Sequence, residues 1–245
     1  MVVAEPGAVV HIFFLRHGES CSNLVGAGGP EIDYVDPELT RRGHATAAER
    51  AAEFYKKILP RLHGFREGGD PVHVCSSPLQ RARQTAAYFT DADDELIVLP
   101  YIKTTDIGPR EQALLERMRY NLVPADPRER PTTVQEFFAW LGTQMRPGHT
   151  RLLVVTHKGF LKKLSRWLLG REVLYNNLDG VEVEVRYGGG SAAAAKPRIV
   201  GPTVWRYRPS RAVPPAGCDS DGCRIDVCAA ASKRQRQTRK NRRHK

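Results

Sequence analysis

The 245-residue sequence has no stretch of about 18 consecutive apolar residues, so it contains no candidate membrane-spanning helix. Cysteine is sparse. Five in this length, an odd number without regular early spacing, do not describe a disulfide framework and point to a reducing intracellular setting, cytoplasmic or nuclear. The opening MVVAEPGAVV has no basic n-region and carries Glu5 and Pro6, which argues against a secretory signal. Aromatic residues stop at Tyr207, and acidic residues are absent between Lys233 and Lys245.

That last absence explains the charge. The chain carries 38 Lys and Arg against 27 Asp and Glu, a formal +11. Eight of the basic residues lie between Lys233 and Lys245; without them the balance is 30 against 27, or +3. A nearly neutral domain with a basic tail is therefore expected: residues 1–208 folded, residues 209–245 disordered, because the tail has too little apolar surface to offset the entropy of folding. The tail run KRQRQTRKNRRHK suits contact with nucleic acid, an anionic membrane or import machinery, and no aromatics interleave with it to stack on bases. Cys218, Cys223 and Cys228, spaced by five, are wider apart than a zinc knuckle, and no metal site is expected there.

What is present is a set of short apolar runs alternating with helical periodicity. VVHIFFLR, Val9 to Arg16, reads as a buried central strand. Thr40 precedes a helix with Ala45, Ala48, Ala52, Tyr55 and Leu59 on one face, ended by Pro60. A strand over Val72 to Ser76 leads to Pro78, a suitable first helical residue, and a helix over Leu79 to Phe89. Ile97 to Leu99 is a short strand, Thr133 to Met145 an amphipathic helix, and Arg151 to Thr156 a second buried strand. A helix follows from Gly159 to Leu169, with Phe160, Leu164, Trp167 and Leu168 as its core face. Val181 to Tyr187 alternates like a half-exposed edge strand, and Ile199 to Tyr207 can return beside it. The pattern predicts an α/β three-layer sandwich: a mostly parallel central sheet with helices on both faces.

Three segments place polar, reactive residue types just after buried strands, at the sheet edge where α/β proteins bind ligands. They are Arg16-His17-Gly18-Glu19, with Asn23 beyond; Ser76-Ser77-Pro78-Leu79-Gln80-Arg81; and Thr156-His157-Lys158-Gly159. Two arginines would offer planar donor forks to phosphate oxygens. A neutral imidazole can attack phosphorus, and its tautomer would be held by a backbone carbonyl accepting from the other ring N–H. Gly18 allows close backbone approach, and the helix start at Gly159 adds amide donors.

FLRHGES, SSPLQRARQTA and VVTHKGF, with LTRRG at Leu39 to Gly43, resemble the signatures of the histidine phosphatase superfamily, the phosphoglycerate mutase-like proteins. The resemblance spans about Val9 to Tyr207. It implies the phosphoglycerate mutase-like fold and a phosphomonoesterase of the histidine acid phosphatase type, acting without metal or cofactor through a phosphohistidine on His17. Arg16, Arg81 and His157 would complete the phosphate pocket, with Asn23 and Gly18 contacting substrate; Glu19 follows the motif with a less defined role. The proton donor of the family would fall at Thr104, which cannot serve; Asp106 is the first substitute and Glu111 the second. Arg83 reads as a solvated residue; Lys158, standing where the family commonly has Gly, reads equally as a contact to an acidic substrate or as an exposed lysine; and nothing marks Cys21 as a nucleophile. The partner implied is a small phosphorylated substrate or a phosphoprotein. A phosphoglycerate mutase-type phosphotransferase is the alternative enzyme. A catalytically weak phosphatase-fold protein that binds a phosphorylated or polyanionic partner is the alternative from another class.

Overall fold

The computed structural model describes residues 7–21, 23, 36–61, 71–90, 96–99, 131, 133–145, 148–188 and 197–210. Among the described residues, six strands form one sheet: β1 (Ala8–Arg16), β2 (Val72–Ser76), β3 (Ile97–Val98), β4 (Gly148–Thr156), β5 (Gly180–Arg186) and β6 (Arg198–Trp205). Among the same residues, four α-helices accompany them: α1 (Arg41–Glu53), α2 (Gln80–Ala86), α3 (Val134–Gln144) and α4 (Lys158–Leu169). The strand order is β3-β2-β4-β1-β5-β6. The first four are mutually parallel, and β5 and β6 are added antiparallel on one side.

Strand alternation builds the three layers. Val10, Ile12 and Phe14 of β1 and Leu152 and Val154 of β4 point to one face. There they meet Phe137, Phe138 and Leu141 of α3 and Phe160, Leu161 and Leu164 of α4. Phe13 and Leu15, with Leu153 and Val155, point to the other face, against Ala47 and Ala51 of α1, Phe54, Ile58 and Ala82 and Ala86 of α2. Both faces of β1 and β4 are thus covered, which is why these strands read as continuous apolar runs. Phe14 is the centre of an aromatic cluster, its ring centroid 5.3 Å from Phe160 and 5.9 Å from Phe138.

Helix ends follow their sequence signals. Thr40 caps α1 by accepting from Gly43 N, and Thr133 with Glu136 forms a capping box on α3. Gly170, with φ of 67°, closes α4 in the left-handed conformation that glycine tolerates best.

Four local expectations are corrected. The buried stripe of α1 is Gly43, Thr46, Ala47, Arg50 and Ala51, continuing to Phe54 and Ile58, while Ala48, Ala52 and Tyr55 face solvent. In an alanine-rich helix the small residues fit either side, and the large Phe54 and Ile58 decide the rotation. Beyond Glu53 the chain widens into a π-turn and then a 3-10 turn, Leu59–Arg61, that contains Pro60. Pro78 precedes α2 rather than starting it, since Leu79 is still extended. Finally, β5 is not an edge strand: β6 pairs with its outer side, and Glu182, buried there, accepts from Trp205 Nε1 at 3.2 Å.

Candidate active site

The parallel register aligns the C-terminal ends of three strands. Arg16 lies opposite Thr156, and Ser76 opposite Val155. Backbone pairing continues one residue beyond each strand: His17 N donates to Thr156 O at 3.0 Å, and Ser77 N to Val155 O at 2.9 Å. His17, Ser77 and His157 therefore share one sheet edge. The two imidazole centroids are 5.1 Å apart, with ring planes inclined by 55°. Arg16 and Arg81 are close enough to act electrostatically on both rings. All four side chains are buried, none more than 9 % exposed.

The geometry of His17 determines its tautomer. Its Nδ1 lies 2.7 Å from Gly18 O. A carbonyl oxygen only accepts, so Nδ1 carries the proton and Nε2 keeps a lone pair. Burial, foremost, and then the charges of Arg81 and Arg16 hold the ring well below the ordinary imidazole pKa; the bond to Gly18 acts in the opposite direction. His157 is lowered too, first by burial and then by Arg81, His17 and Arg16, and its Nε2 lies 2.7 Å from Ser77 Oγ. Both rings are thus neutral beside two cations. The Arg16 guanidinium is lowered to about 10 by burial, against the favourable charge of Asp179 and with the repulsion of Arg81.

Each group is held from below. Arg16 Nη1 donates to Tyr175 O at 2.7 Å. Gly18 N donates to Thr85 Oγ1 at 3.0 Å, and Thr85 Oγ1 donates to Arg81 O at 2.7 Å. Asp36 accepts from Gln80 N at the start of α2 and stands 3.8 Å from Arg81 Nη1. The LTRRG segment is part of the same frame. Thr40 N donates to Glu19 O at 3.0 Å and Thr40 Oγ1 to Glu19 Oε1 at 2.9 Å. Gly43 sits so close to this loop that a Cβ there would be 2.0 Å from Glu19 O.

The structure thus brings Arg16, His17, Gly18, Arg81 and His157 together. Asn23 is exposed at the rim, its Oδ1 accepting from Ser20 N at 3.0 Å. Glu19 is turned toward Thr40 and Arg42. Arg83 and Lys158 are exposed. Thr104, Asp106, Glu111, the three tail cysteines and the basic run lie outside the described residues. Among the described residues, no group of His, Cys, Asp and Glu could hold a metal ion. Sequence reasoning missed Ser77, Thr85 and the turn Tyr175 to Asp179. Ser77 and Thr85 were within reach, since both stand inside the second motif; the turn carries no pattern of its own.

Comparison with known proteins adds the family. The profile of the histidine phosphatase superfamily (branch 1) matches residues 12–178. No curated protein matches the chain. Among solved structures, the chain is similar to phosphoserine phosphatase from Entamoeba histolytica, crystallised with 3-phosphoglyceric acid: 18% identity, 81% of this chain and 98% of that one, TM-score 0.48. It is also similar to the putative phosphohistidine phosphatase SixA from Agrobacterium tumefaciens, with 12% identity, 79% and 97% coverage and TM-score 0.43. A third is TTHB049 from Thermus thermophilus, with 21% identity, 71% and 92% coverage and TM-score 0.40. With a match running from the middle of β1 to the turn before β5, across all three strand-end motifs, the chain belongs to the histidine phosphatase superfamily.

Proposed function

We propose that this chain is a phosphatase that hydrolyses a phosphomonoester through a phosphohistidine on His17. The observation that carries the reading is the bond from His17 Nδ1 to Gly18 O, which leaves Nε2 as a bare nitrogen nucleophile in a buried pocket beside two guanidinium groups. Membership of the superfamily supports phosphatase chemistry in general.

The reaction follows from the groups present. A phosphomonoester dianion carries about two negative charges near neutral pH, and Arg16 and Arg81 supply two positive ones. Binding it in this pocket exchanges water for preorganised donors, which is where such donors act most strongly. The Nε2 lone pair of His17 attacks phosphorus as the bond to the leaving oxygen breaks; that oxygen takes a proton from a carboxylic acid. Water then attacks phosphorus, breaks the P–N bond and loses a proton to the same carboxylate, releasing phosphate and restoring neutral His17. Asp106, and after it Glu111, is proposed for the acid on sequence grounds. Charge on the transferring oxygens is stabilised by the two arginines, with His157 as a neutral donor whose ring is held by Ser77.

The test uses the full chain and an aryl phosphate. His17→Ala should lower phosphate release by about a thousandfold or more. The wild-type protein, quenched during turnover, should hold phosphate in an acid-labile, alkali-stable linkage that His17→Ala lacks. Release by His17→Ala near the wild-type rate would refute the assignment.

A further inference from the structure

The segment between α4 and β5, Tyr175 to Asp179, belongs to none of the three motifs, yet it makes repeated contact with the nucleophile loop. Tyr175 O accepts from Arg16 Nη1, Leu178 N donates to Arg16 O at 3.0 Å, and Asp179 O accepts from Arg16 N at 2.9 Å. Leu178 adopts φ of 63° although it is not glycine, and its side chain is buried in the core beneath the sheet. A branched residue in that region costs about 1–3 kcal/mol, so the surrounding contacts hold the turn in this shape against its local preference.

Asn177 sits at the crest. Its Nδ2 lies 2.9 Å from His17 O, 2.9 Å from Gly18 O and 3.1 Å from Asn23 Oδ1. An amide NH2 has two hydrogens, so one is shared by the two loop carbonyls and the other is directed at Asn23. The Gly18 carbonyl is the same group that accepts from His17 Nδ1. Asn177 and the nucleophile therefore share one acceptor, and the amide fixes the plane in which that carbonyl faces the ring. At Asn23, Oδ1 accepts from Ser20 N, Ser20 Oγ and Asn177 Nδ2 together. With the oxygen end so engaged, the amide of Asn23 is oriented with its Nδ2 as the end left to donate.

We infer that Asn177 is a positioning residue for phosphoryl transfer: by donating to the Gly18 carbonyl it holds the Nδ1-protonated tautomer of His17, and by donating to Asn23 it orients that amide toward substrate. The inference rests on His17 being the nucleophile. It assigns two separable effects to one side chain, on kcat through His17 and on KM through Asn23.

Three variants of the half-buried Asn177 test it. Asn177→Ala removes both donors. Asn177→Asp keeps the shape but sets an acceptor against three acceptors. Asn177→Gln restores an NH2 one methylene further out. The expected result is a fall of about tenfold in kcat with a several-fold rise in KM for Ala, consistent with the loss of two partly buried hydrogen bonds. A larger fall is expected for Asp, and partial recovery of both constants for Gln. Independently of turnover, nitrogen NMR of labelled His17 should show one Nδ1-protonated tautomer in the wild type and a tautomer mixture in Asn177→Ala. An unchanged His17 spectrum and a kcat within twofold of wild type in Asn177→Ala would overturn the proposal, provided His17→Ala is inactive. If His17→Ala retains activity, the nucleophile reading itself fails and the positioning role falls with it, even where the NMR tautomer shift is seen.

Discussion

Replacing Asp179 by alanine should cost both stability and phosphate binding, and the two losses have separate origins. The carboxylate is fully buried. Its Oδ1 accepts from Tyr207 N at 2.8 Å; its Oδ2 accepts from Asn176 N at 2.8 Å and from Arg206 Nη1 at 2.7 Å. Tyr207 N is buried, and orphaning such a donor costs about 1–3 kcal/mol. Asn176 is exposed, so water can replace the lost acceptor and the cost is below about 1 kcal/mol. The Arg206 side chain is nearly half exposed, which limits its ion pair to about 0–1 kcal/mol after solvent screening. Together these predict a loss of about 3 kcal/mol. For a domain of this size that lowers the melting midpoint by about 6–12 °C. The functional loss comes through Arg16. Asp179 is the charge that opposes the burial penalty on that guanidinium, and its backbone oxygen holds Arg16 N. Urea denaturation followed by tryptophan fluorescence measures the first effect, and KM for phosphate release measures the second. A loss below about 1 kcal/mol, or a full loss with unchanged KM, would refute the reasoning.

Two further predictions concern the same edge. His17 and His157 are both held below the ordinary imidazole value of 6.5. The unfolded chain then binds more protons than the folded one once pH falls below about 6.5, so stability is present above that pH and is lost as pH drops through it. Denaturation midpoints between pH 7 and 5 should show this slope, and a His17→Ala, His157→Ala double variant should flatten it; an unchanged slope would mean the rings do not stay neutral. Gly43→Ala should destabilise the loop bearing Glu19 because its Cβ would overlap a backbone oxygen that cannot rotate away. A variant with wild-type melting and wild-type phosphate release would show that α1 can slide aside.

The parts legible in the sequence were those carried by strong local signals. Strands buried on both faces left continuous apolar runs at VVHIFFLR and RLLVVT, and reactive residues directly after them belong at one sheet edge on the sequence alone. Thr40 and Thr133 announced their helices because a cap is a local requirement. The rotation of α1 was not legible, since alanines lie on both sides of the helix (Ala47 and Ala51 buried, Ala48 and Ala52 exposed) and the buried side also carries Thr46 and Arg50, while the large apolar Phe54 and Ile58 come beyond the α-helical part. Nor was the interior place of β5: Glu182 and Glu184 mimic a solvent face, and only pairing with β6 shows that Glu182 is enclosed. Asn177 could not be found at all, because its partners lie about 160 positions away in the chain and the interaction runs from side chain to backbone, which leaves no complementary residue type to recognise.

One consequence of α2 concerns motion. Arg81 and Thr85 are four residues apart on this short helix, and Thr85 both grips Arg81 O and receives Gly18 N. Arg81 and the loop that carries His17 are thereby tied to the same short helix, so a substitution that shifts α2 would shift both together.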